Sequence, residues 1–110
     1  MEFALFLITT DGENSAARSS MKKHFSITIS GKVQGVFFRA FIKEKADDLD
    51  INGFVKNESD GNVYVEAEGE EELLKTFVEW CKQGPRLAHV SDCSVREEGL
   101  KNFREFTIGR

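Results

Sequence analysis

The hydrophobic period of this chain switches from two to about 3.6 and back, twice over, and that rhythm leaves few folds open. Phe25, Ile27 and Ile29 alternate with Ser26, Thr28 and Ser30, the pattern of a half-buried strand. Gly31 and Gly35 break it. From Phe38 the apolar residues fall at Phe38, Ile42, Ala46 and Leu49, with Lys43, Glu44, Asp47 and Asp48 between them. That spacing predicts a helix with one buried stripe. Asn52-Gly53 is expected to end it, and residues 54–57 to form a second strand. Asp60-Gly61 is a hairpin turn signal. Val63, Val65 and Ala67 predict a third strand, closed by Gly69.

Glu70, Glu71 and Glu72 then sit where a helix N-terminus favours negative charge. Leu73, Leu74, Phe77, Val78, Trp80 and Cys81 form the second stripe, and Gly84-Pro85 stops it. Val90, Cys93 and Val95 predict a fourth strand whose slipped spacing implies a bulge. Phe106 and Ile108 mark a short last strand. In 110 residues there is room for one domain. The order β-α-β-β-α-β, with one apolar stripe per helix, is met by two helices on one face of a mixed, largely antiparallel sheet. This is an α+β sandwich of the ferredoxin-like kind, with a short C-terminal strand added. The fold alone hosts enzymes, RNA binders and regulatory modules.

Composition narrows the partners. The net charge is −4, which argues against nucleic-acid binding through a basic face. RNA modules of this fold stack bases on exposed strand aromatics. Here the outward residues are expected to be Ser26, Thr28, Ser30, Glu66 and Glu68, with Tyr64 alone. Two cysteines, Cys81 and Cys93, are too few for a disulfide scaffold and are expected as free thiols in the cytoplasm. Residues 3–8 form an apolar run too short to span a bilayer, and no basic stretch precedes it. Residues 11–20 are polar and small. Residues 1–20 are therefore expected to be a flexible extension or tag, and residues 21–110 the domain. An added edge strand within residues 2–10 is the alternative.

The chemistry concentrates at Gly31-Lys32-Val33-Gln34-Gly35-Val36-Phe37-Phe38-Arg39. A glycine-bearing turn here leaves a strand and enters a helix. Glycines permit positive φ, so successive backbone N–H groups can point inward. The helix start adds unpaired N–H groups and a positive dipole end. Such a turn is a cup for a phosphate-sized anion, and Arg39 supplies a fork of charged donors. Taken alone, a plain turn with a solvated Arg explains the same residues.

Residues 53–63 add Gly53-Phe54-Val55-Lys56-Asn57-Glu58-Ser59-Asp60-Gly61-Asn62-Val63. With this second segment the chain resembles the acylphosphatase family over residues 24 to about 108. Both family signatures are present, Gly-x-Val-Gln-Gly-Val-x-Phe-Arg at 31–39 and Gly-aromatic-Val-Lys-Asn-x-x-x-Gly-x-Val at 53–63. Gly84-Pro85 with Ala88 and Val90 matches a weaker third stretch. Phe54 stands where many members have Trp or Tyr. The resemblance implies hydrolysis of small acyl phosphates to a carboxylate and inorganic phosphate, by a monomer without metal or other cofactor. It implies that Arg39 and the amides of Lys32, Val33, Gln34, Gly35, Val36, Phe37 and Phe38 bind the phosphoryl group. Asn57 would orient the attacking water. The other reading is a non-catalytic module that binds a phosphorylated or anionic ligand, as in acylphosphatase-like domains of hydrogenase maturation proteins that handle carbamoyl phosphate.

Other polar residues have plainer explanations. His24 and His89 are each next to a strand and are expected at the surface or an edge. Glu66, Glu68, Glu70, Glu71 and Glu72 read as a solvated strand face and a charged first helical turn rather than a metal site. Trp80 is expected in the core. Asn57-Glu58-Ser59 is a formal glycosylation sequon, but a glycan there would block the proposed site, and no export signal is read that would support one.

Overall fold

The computed structural model describes residues 21–109. The expectations for residues 1–20 lie outside the described residues. Seven elements follow in order: β1 (Lys22–Lys32), α1 (Phe38–Asp48), β2 (Asn52–Asn57), β3 (Val63–Glu70), α2 (Glu71–Gln83), β4 (His89–Glu98) and β5 (Phe106–Ile108). The described strands form one sheet in the order β4-β1-β3-β2-β5. All neighbours are antiparallel except β2 and β5, which run parallel.

One cross-strand row shows how the sheet is built. Val95, Ile27, Val65, Val55 and Ile108 lie side by side across the five strands. The three central residues are fully buried, while Val95 and Ile108 at the edges are exposed. Onto this face pack Phe38, Ile42 and Ala46 of α1 and Leu74, Phe77, Val78 and Cys81 of α2. These are the stripe residues that the helical spacing picks out. The ferredoxin-like arrangement read from the sequence is the fold observed. The bulge in β4 is also present: Ser30 pairs with Asp92 and Gly31 with Val90, leaving Ser91 as the extra residue.

Several local expectations need correction. The first helix does not wait for Asn52-Gly53. Asp50 takes φ 55°, and the Ile51 N–H reaches back to the Ala46 carbonyl at 2.8 Å. That is a Schellman stop with an Asp in the place usually given to Gly. Asn52 and Gly53 instead open β2. Gly53 has φ 144°, and any Cβ there would collide with the Glu66 carbonyl on β3. Close strand approach, not helix termination, selects that glycine. Gly69 likewise lies inside β3, which continues to Glu70.

The outer sheet face is not solvated as expected. The chain returns over it between β4 and β5. Glu68 is 1% exposed, Glu66 8% and His24 0%. Glu68 accepts the backbone N–H groups of Lys101, Asn102 (3.0 Å) and Phe103 (2.8 Å). His24 Nδ1 meets the Gly99 carbonyl at 2.7 Å and its Nε2 meets Glu66 Oε1 at 3.0 Å. Tyr64 and Lys101 donate to the same Glu66 carboxylate. Phe103 packs edge-on against both His24 and Phe54. Trp80 is only half-buried, with the Lys45 ammonium 3.9 Å over its ring.

Burial raises the pKa of both glutamates, but the hydrogen bonds win. Glu66 is held below its usual value by Tyr64, Lys101 and the charges of Lys101 and His24. Glu68 is held down by its three backbone donors and by His24. Tyr64 moves the other way, pushed up to about 12 by burial and by its bond to ionised Glu66.

Candidate active site

The two signature segments meet at one end of the sheet. A pocket of about 350 Å³ is lined by Val33, Gly35, Phe37, Phe38, Arg39, Ala40, Asn57 and Ile108. Arg39 comes from the first turn of α1, Asn57 from the last position of β2 and Ile108 from β5. The parallel pairing of β2 and β5 brings the C-terminal strand to this rim. The Arg39 guanidinium donates to the Gly109 carbonyl at 2.7 Å. That bond leaves other donors of the fork unused by it and fixes the long side chain at the pocket wall.

The loop between β1 and α1 carries the conformation an anion cup requires. Gly35 has φ 75° and Phe37 has φ 65°. Alternation of right- and left-handed backbone turns successive N–H groups toward one point. No backbone N–H from residues 33–38 donates to a partner among the described residues. Phe37 is the N-cap of α1 and gives no side-chain cap bond. A bulky residue held at positive φ costs about 1–3 kcal/mol. That strain falls in the loop that lines the pocket.

Six of the residues expected from the sequence line the pocket: Val33, Gly35, Phe37, Phe38, Arg39 and Asn57. Lys32, Gln34 and Val36 do not. Lys32 is still part of β1, in register with His89. Val36 is buried. Gln34 turns its side chain away from the pocket. Its Nε2 donates to the Glu58 and Asn62 carbonyls, each at 2.8 Å. Those two residues close the β2–β3 turn, with the Glu58 N–H bonded to Asn62 at 2.8 Å. Gln34 therefore ties the loop to the turn that follows Asn57 directly. Sequence reading missed this brace; the signal was a two-donor amide inside an otherwise apolar loop. Ala40 and Ile108 were also missed as lining residues. Among the described residues, no three or more His, Cys, Asp or Glu side chains gather in a metal-binding group.

Comparison with known proteins places this geometry. The acylphosphatase family model matches residues 25–108. An acylphosphatase of Nocardioides sp. is 43% identical over 86 residues, covering 76% of this chain and 87% of that one. The crystal structure of acylphosphatase from Bacillus subtilis superposes with a TM-score of 0.78 at 40% identity, covering 80% of this chain and 99% of that one. The crystal structure of full-length HypF in its phosphate- and nucleotide-bound form also matches, with a TM-score of 0.77 and 34% identity over 82% of this chain but 12% of that one. With both signatures converging on one pocket and relatives matched nearly end to end, the chain belongs to the acylphosphatase family.

Proposed function

We propose that the chain hydrolyses the carboxyl–phosphate anhydride of small acyl phosphates, with Arg39 and the loop amides binding the phosphoryl group and Asn57 placing the water. The observation that carries the reading is the convergence of Arg39, Asn57 and the loop residues Val33, Gly35, Phe37 and Phe38 on one pocket, in a loop whose N–H groups bond no backbone carbonyl among the described residues.

The chemistry asks for little more. A carboxyl–phosphate anhydride expels a carboxylate, which needs no proton to leave. Phosphoryl transfer is loose, with little bond formation to the attacking oxygen at its transition state. A strong base is then unnecessary. What remains is to hold three charged oxygens with preorganised donors and to aim one water. The amides and Arg39 meet the oxygens. The Asn57 side-chain amide both donates and accepts, so it can grip water. It carries no charge, so it does not repel the phosphoryl group as a carboxylate would. Water adds to phosphorus, the bond from phosphorus to the bridging oxygen breaks, and carboxylate and inorganic phosphate leave.

The pocket is complete within one chain, which supports a monomeric enzyme. Cys81 and Cys93 are free thiols, which supports a reducing compartment such as the cytoplasm. No described helix is long and apolar enough to cross a membrane. The catalytic unit in this reading is residues 21–110. The test is turnover of acetyl phosphate by purified protein under exhaustive chelation. Activity is expected to persist. Loss that a divalent ion restores would contradict the metal-free mechanism.

A further inference from the structure

We propose that the Gln34 side chain is a positioning residue for the reaction: it sets where the Asn57 amide stands relative to the phosphoryl cup. This rests on the roles given above to Asn57 and the loop. The cup belongs to the loop after β1, while Asn57 ends β2. Those two strands are not neighbours, because β3 lies between them. The sheet ladder therefore joins the cup to Asn57 only indirectly. Two hydrogen bonds span the gap directly. Gln34 Nε2 donates to the Glu58 and Asn62 carbonyls, each at 2.8 Å. No other hydrogen bond joins residues 33–37 to residues 57–62 among the described residues.

Both ends of this brace are close to the chemistry. Val33 and Gly35, on either side of Gln34, line the pocket. Glu58 follows Asn57 directly, so a hold on its carbonyl is a hold on the peptide next to the amide that grips water. The receiving turn is stiff: the Gly61 N–H closes on the Glu58 carbonyl at 3.1 Å, and Asp60 accepts the Asn62 N–H at 3.0 Å. Satisfying the two carbonyls does not depend on Gln34. Each also accepts a backbone N–H, from Gly61 and from Glu58. Removing the Gln34 amide therefore orphans no acceptor, and its stability cost is expected to be small. What is lost is alignment, and a displacement of about 1 Å in a reacting group can cost about a hundred-fold in rate.

The experiment is a double-mutant cycle in the full chain, reading kcat on acetyl phosphate and inhibition by inorganic phosphate. Gln34→Met, which keeps the bulk and removes both donors, is expected to lower kcat about tenfold, with phosphate inhibition within about twofold of wild type. In an Asn57→Ala chain the same substitution is expected to change kcat by less than about twofold, because the group it positions is gone. A tenfold loss that persists in the Asn57→Ala chain overturns the proposal, since Gln34 would then act elsewhere. So does an unchanged kcat, or a loss of phosphate inhibition as large as the loss of kcat. Should Gln34→Met not fold, Gln34→Asn, whose amide is one methylene short of the two carbonyls, runs the same cycle against the same outcomes. Absence of turnover in the wild-type chain would count against the proposed activity itself, and the positioning role would fall with it.

Discussion

Two backbone nests sit on opposite sides of this small domain, and they differ in what fills them. Around residues 33–38, with Gly35 and Phe37 at positive φ, the loop lines a pocket through Val33, Gly35, Phe37 and Phe38, and its N–H groups bond no backbone carbonyl among the described residues. Around residues 101–103, with Asn102 at φ 59°, three successive N–H groups close on the Glu68 carboxylate. The local device is the same: a left-handed residue that aims amides at one anion. In one nest the anion is the protein's own side chain, and the result is stability. In the other, under the function proposed above, it is the phosphoryl group of the substrate.

That contrast predicts different losses on each side. The largest is at the open nest. Arg39→Ala should lower kcat/KM by about 2.7–4 kcal/mol of transition-state stabilisation, and inorganic phosphate should lose its grip as a competitive inhibitor. Asn57→Ala should cut kcat roughly a hundred-fold through misplaced water, while phosphate inhibition stays near wild type. If the two variants fail alike in phosphate binding, the division of roles is wrong.

The filled nest should answer in stability. Glu68→Ala leaves the part-buried N–H groups of Lys101, Asn102 and Phe103 without their acceptor and should cost about 1–3 kcal/mol in denaturant unfolding. The carboxyl is held below its usual value of 4.5 in the fold. Its contribution is therefore fully present above that value and is lost as pH falls through the lower, folded one. Melting followed from neutral pH down to about 3 should show this loss, and Glu68→Gln should flatten the slope. A Glu68→Ala variant as stable as wild type would mean that the returning segment holds itself.

The smallest effect is expected from removing residues 1–20, which precede both signatures. Turnover and melting temperature should barely move. A large drop in melting temperature would show that those residues belong to the domain.

The two nests were not equally legible. The open one is written locally: glycines, an arginine and a helix start within nine residues. Strand and helix stripes were legible for the same reason, since each is a short-range period. The filled nest is not local. Glu66 and Glu68 alternate with buried Val65 and Ala67, so period two assigns them to water. Only the return of residues 99–103 over that face buries them, and no spacing near Glu68 announces it. His24 was misread for the same reason, because its partners Gly99 and Glu66 lie far away in sequence. The Gln34 brace and the helix stop at Asp50 show a subtler limit. Residue type did not reveal which of several chemically able residues takes the special geometry.

The most direct test of this contrast is a titration of the isotope-labelled chain with inorganic phosphate, read by amide nuclear magnetic resonance. The amides of residues 33–38 and the Arg39 guanidinium should shift together along one saturable curve. The amides of Lys101, Asn102 and Phe103, already occupied by Glu68, should stay still. Silence at residues 33–38, or equal movement in both nests, would contradict the account.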